Sequence, residues 1–170
     1  MRYILLASFL CLSACVSSTS IGLPPEARGL AGHLSRVERQ HLDAISYIHG
    51  GPSILQRARE SGALAENVEW WVSGPPEILP FAGTWHGLEG VSDFQKKLGE
   101  TMRYDKVALQ RYLVSGDDVA AIFIGEGIAR ATGRPFHSEI VRLYTFSGGK
   151  VLSVRDYYDT AAYVAAVRGQ

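Results

Sequence analysis

The second half of the chain is a succession of long runs rich in Val, Ile, Phe and Tyr, cut at short intervals by turn-forming residues. Residues 106–114, 119–131, 136–146 and 151–158 read as strands. Gly116-Asp117-Asp118, Gly133-Arg134-Pro135 and Gly148-Gly149 separate them. Gaps this short permit hairpins and leave no room for a crossover helix, so the four runs form an antiparallel meander.

What precedes the meander is mostly helical. Over residues 33–49, Leu34, Val37, His41, Ile45 and Ile48 recur at three- and four-residue steps, the period of an amphipathic helix that Gly50-Gly51-Pro52 ends. A short helix capped by Ser53 covers residues 53–60, and residues 67–73 read as a strand stopped by Gly74-Pro75-Pro76. Residues 77–87, with Pro80, Gly83 and Gly87, read as an ordered loop. Ser92 is placed to cap a helix carrying Phe94, Leu98 and Met102, and Asp159 or Thr160 to cap a closing helix with Ala162, Val164 and Val167. Helices followed by one strongly bent antiparallel sheet give an α+β fold, and the sheet must bury a face against the helices. Such a sheet can curve around a pocket.

Successive strand residues point to opposite faces, so the inward set is read by twos. One set of the 119–131 strand is Ala120, Ile122, Ile124, Glu126 and Ile128; the other is Val119, Ala121, Phe123, Gly125 and Gly127. The neighbouring strand offers Ser138, Ile140, Arg142 and Tyr144, and the last strand Leu152, Val154, Asp156 and Tyr158. If the sets holding charges line one pocket, Glu126, Arg142 and Asp156 meet in an apolar cup and must pair or shift their pKa values. If those sets face solvent, the same charges form surface ion pairs of little energetic weight. The pattern alone leaves both arrangements open.

Several chemistries are disfavoured. Seventeen basic residues balance 17 acidic ones, so no overall field favours nucleic acid. There is no G-x-S-x-G elbow and no glycine-rich phosphate loop after a strand, and no nucleotide cofactor is expected. His33, His41, His49 and His137 lack a metal-ligand spacing, so no metal is expected either. His86, in the loop before the third helix, stands where an acid or base could reach a pocket mouth.

The N-terminus reads as an export signal. Arg2 supplies a positive n-region, residues 4–12 an apolar stretch, and Leu12-Ser13-Ala14-Cys15 a small-residue cleavage site. L-S-A-C resembles the lipobox of bacterial lipoproteins, in which the cysteine is lipidated and becomes the mature N-terminus. The domain plan is therefore a signal peptide over residues 1–14, a lipidated tether over 15–32 and one domain over 33–170. Val16 and Ser17 follow Cys15 without the aspartate of an inner-membrane retention signal. The expected address is the outer membrane, facing the periplasm.

The order of elements, the G-x-W-x-G-x-E-x-V run over residues 83–91 and the ending G-G-K-V-x-x-V-R-D-Y-Y-D resemble the SnoaL-like and ketosteroid-isomerase-like superfamily, with its nuclear transport factor 2-like fold. The resemblance implies a cone-shaped α+β domain around a pocket for a small hydrophobic molecule, often a homodimer through the outer sheet face, which Phe123, Val141 and Leu143 would suit. The ending is most similar to limonene-epoxide-hydrolase-like proteins, whose water-activating aspartate falls on Asp156. Their acid and their orienting arginine fall on Glu126 and Ile124, and Arg142 on the adjacent strand is positioned to replace the missing arginine. The steroid-isomerase base would lie among residues 68–72, where Glu69, Trp70 and Trp71 stand. Strand alternation and the resemblance together give Asp156, Glu126 and Arg142 as catalytic candidates and Trp70, His86, Ile124, Ser138, Ile140, Val154 and Tyr158 as pocket residues. The competing expectation is a non-catalytic member that keeps the cup and has lost the chemistry.

Overall fold

The computed structural model describes residues 34–49 and 53–170. The expected signal, Cys15 and the tether lie outside the described residues. Among the described residues four helices and six strands follow in the order α1 (Arg36–His49), α2 (Ile54–Ser61), β1 (Leu64–Val72), β2 (Gly83–His86), α3 (Gly87–Thr101), β3 (Met102–Ser115), β4 (Asp118–Ala129), β5 (Pro135–Ser147), β6 (Lys150–Tyr158) and α4 (Thr160–Arg168). The fold is α+β, as the strand and helix pattern predicts.

The strands form one curved, unclosed sheet in the order β2-β1-β6-β5-β4-β3. Strands β3 to β6 make the expected antiparallel meander. The first strand departs from the expected antiparallel sheet: β1 lies parallel to β6, with Trp70 beside Val154 and Val72 beside Asp156. Because β1 and β6 are separated by the whole meander, no hairpin constrains their direction. The 77–87 segment also holds a short strand, β2, paired antiparallel to β1 with Trp70 opposite Trp85.

Gly87 sits at φ +67°, and a Cβ there would lie 3.1 Å from the Glu66 carbonyl oxygen. This left-handed residue converts β2 directly into α3. The helix therefore begins five residues before Ser92, and Met102 opens β3 instead of closing the helix. Two expected caps are present. The Ser53 side chain accepts from the Gln56 amide, and Asp159 accepts from the amides of Ala161 and Ala162.

The inner sheet face carries Trp70, Val119, Ala121, Phe123, Tyr144 and Val154, all buried with Phe94 of α3 and Tyr163 of α4 in one core. His41 ties α1 to this framework by stacking on Phe146 at 3.9 Å, with Nδ1 3.2 Å from the Gly116 carbonyl oxygen. None of the described helices is long and apolar enough to cross a membrane.

Candidate active site

The register of the sheet decides which charges meet. Arg142 on β5 is the direct cross-strand partner of Asp156 on β6 and of Ala121 on β4. All three therefore point to the inner face. Arg142 Nε donates to Asp156 Oδ1 at 2.5 Å and Nη2 to Oδ2 at 2.8 Å, a bidentate pair whose side chains are only 13% and 4% exposed. The indole Nε1 of Trp70 donates to Asp156 Oδ2 at 3.1 Å, and the guanidinium carbon lies 5.0 Å from the Trp70 ring centre. Burial is the largest single influence and acts to lower the guanidinium pKa, but Asp156 and Tyr144 together outweigh it and the pKa is raised.

A cavity of about 460 Å³ opens above this pair. Its wall is made by Phe94 and Leu98 of α3, Tyr104 of β3, Phe123 of β4, and Ile140 and Arg142 of β5. A small extension of about 20 Å³ continues from Arg142 past Tyr158 to Asp156. Asp156 is the only carboxylate among the residues lining either space.

His49, at the end of α1, also lines the cavity. Its Nε2 is hydrogen-bonded to the Tyr144 hydroxyl and lies 3.4 Å from Arg142 Nη1. With two donors facing it, Nε2 acts as the acceptor. Burial, and then the positive charge of Arg142, hold the imidazole pKa well below its usual 6.5. On the opposite wall the Tyr104 hydroxyl, 2.8 Å from that of Tyr163, has its pKa pushed up to about 12 by burial.

Of the residues the sequence singles out, Arg142, Asp156, Ile140 and Tyr158 line the cavity or its extension. Trp70 and Val154 are buried directly behind, and the Tyr158 hydroxyl donates to the Ser73 carbonyl at 2.6 Å. Ser138 is buried but faces the start of α4, donating to the Glu139 carbonyl and accepting from the Asp159 amide.

Three expected positions belong elsewhere. Glu126 is on the outer face, 40% exposed, with Lys106 Nζ at 3.5 Å and His137 Nδ1 at 3.4 Å. Ile124 lies in the same outward row, and exposed His86 pairs with Glu69 on the reverse side of β1 and β2 from the Trp70–Trp85 pair. The inward row of β4 is the glycine-containing one. A Cβ on Gly125 would meet Ile140 Cδ1 at 2.9 Å and Tyr104 at 3.1 Å, so absent side chains make room for large neighbours to lean across. Phe123 in that row is buried, which removes it from the proposed outer dimer surface.

The sequence pattern does not single out His49, Phe94 or Tyr104 as site residues. His49 has a signal in the sequence, since it stands four residues after Ile45 and so on the same helical row.

Residues 60–154 match the model of the SnoaL-like domain, more than half of the chain. The chain belongs to the SnoaL-like family. It is similar to UPF0523 protein B of Dictyostelium discoideum, with 22% identity over 102 residues, 58% of this chain and 62% of that protein. The match thus spans less than two thirds of that relative. Among solved structures, an NTF2-like protein from Burkholderia xenovorans LB400 superimposes with TM-score 0.64 at 23% identity, over 76% of this chain and 97% of its own. A SnoaL-like polyketide cyclase candidate from Jannaschia sp. CCS1 gives TM-score 0.69 at 18% identity, over 81% of this chain and 97% of its own. At these identities the superpositions establish the shared fold.

Proposed function

We propose that this SnoaL-like domain binds a small hydrophobic molecule bearing a carbonyl oxygen and performs acid–base chemistry on it, of the isomerase or cyclase type. The carrying observation is the buried Arg142–Asp156 pair at the floor of a cavity walled by Phe94, Leu98, Tyr104, Phe123 and Ile140. Arginine has more N–H donors than Asp156 and His49 engage, so Arg142 can bind the carbonyl oxygen and hold the negative charge that develops there. Asp156 Oδ1 accepts a hydrogen bond from Arg142 Nε alone and keeps a lone pair with which to take a proton from the adjacent carbon. Epoxide opening is less well supported, because its second acid, Glu126, lies across the sheet.

The test is proton exchange: 2-tetralone incubated with the protein in D2O and followed by NMR. The expected result is accelerated loss of the α-proton signal, abolished in Asp156→Asn. Binding without exchange would leave the non-catalytic reading in its place, a reading favoured by the number of donors already on Asp156. Absence of any binding would overturn both.

The same proposal includes lipid attachment at Cys15, which puts the cup at the periplasmic face of the outer membrane, and a homodimer. The L-S-A-C motif supports the first. The half-buried Val141 and Leu143 on the outer face support the second. Mass analysis of the mature N-terminus checks the anchor: an unmodified Met1 or a bare Cys15 would refute it.

A further inference from the structure

The charges along the cavity wall are unevenly cancelled. At the floor Arg142 is neutralised by Asp156, and His49 beside them is held uncharged by burial and by Arg142. Nearer the surface, Arg103 is engaged by Asp105, with Nε to Oδ1 at 2.9 Å and Nη2 to Oδ2 at 3.2 Å. The third arginine on the wall is Arg130, just past the end of β4. Its Nε donates to the Gly99 carbonyl at the end of α3 at 2.6 Å, and no carboxylate is paired with it among the described residues. Among the described residues neither terminal nitrogen has a hydrogen-bond partner, on a residue that is exposed yet lines the cavity.

We propose that Arg130 is an anchoring site for an oxyanion, so that the cavity selects an amphipathic ligand with an apolar, largely aromatic body and one terminal carboxylate-like group. This rests on the hydrophobic-ligand reading above and adds the class and orientation of the ligand. The anion belongs at the rim because the Arg142–Asp156 pair at the floor carries no net charge to attract it, while Arg130 offers an uncompensated positive one. Phe94, Tyr104 and Phe123 between the two ends suit a flat apolar body. The neutral polar end of the ligand then meets Arg142, so the two arginines fix it lengthwise.

A matched pair of probes tests this: biphenyl-4-carboxylate and biphenyl-4-methanol, titrated calorimetrically into the full domain at low and high salt. The carboxylate is expected to bind about fivefold tighter at low salt, as for an ion pair near a surface, and the gap should narrow as salt rises. Arg130→Gln, which retains a donor for Gly99, should remove the preference, and Arg130→Lys should keep most of it. Equal binding of the two probes, or a preference unchanged in Arg130→Gln, overturns the anchor and leaves the hydrophobic-ligand reading intact. Failure of both probes to bind overturns the anchor together with that reading.

Discussion

Arg142 holds the interior together by a balance that a single substitution upsets. Each charge of the pair has left water, and each is tolerable because the other is within hydrogen-bonding distance. Arg142→Ala strands Asp156 among Trp70, Val72 and Tyr158, and is expected to cost about 3–5 kcal/mol in a urea melt. Arg142→Met combined with Asp156→Leu removes both charges and should recover most of that stability while abolishing proton exchange. His49 gives the pair a pH signature. Its folded pKa lies below 6.5, so the native state binds fewer protons than the unfolded chain, and the stabilisation is complete above that value and lost as pH falls. Stability should decline by up to about 1.4 kcal/mol per pH unit below 6.5, and His49→Gln should flatten the decline in thermal melts at stepped pH. Arg142 and Asp156 were legible in the sequence because each is a lone charge among apolar alternate neighbours. Glu126 met the same description, but the isoleucines beside it cover the outside of the sheet, and period-two reading cannot tell which apolar row is the inner one.

Among the elements, the strands of the meander were legible almost to their ends except at the start of β3, since their turns carry glycines that need left-handed backbone, as at Gly116 and Gly133. The partnership of β1 with β6 was not, because it depends on packing between segments far apart in the chain. The strand β2 was hidden by its brevity and by the prolines before it. The β3–β4 hairpin has a weak point that its sequence conceals. A Cβ on Gly127 would stand 1.9 Å from the Arg103 carbonyl oxygen, beside the irregularity between Tyr104 and Lys106. Gly127→Ala should therefore displace Tyr104 from the cavity wall, cost more than about 2 kcal/mol, and weaken ligand binding together with stability. Asp159→Ala is the milder contrast: loss of its two amide contacts at the start of α4 should cost about 1 kcal/mol in the same melt and leave ligand affinity unchanged.

At the scale of the molecule, ligand occupancy and stability are linked. A carboxylate probe supplied at about 100 times its Kd should raise stability by about 2.7 kcal/mol, read as a higher Tm, and the rise should shrink in Arg130→Gln under the same probe concentration. The proposed dimer predicts a concentration-dependent mass in sedimentation, lost when Val141 and Leu143 are both changed to Asp; a monomer at every concentration would refute it. The position of β6 has a bearing on how the chain is made. It alone joins the β2-β1 pair to the β5-β4-β3 block, so a nascent chain ending before residue 150 holds two sheet fragments with no strand between them. Folding therefore waits for β6 to be made, and the strand that completes the sheet also delivers Asp156. A ribosome stalled anywhere in the first 149 residues should present a protease-sensitive chain, and resistance should appear in a single step once β6 has emerged.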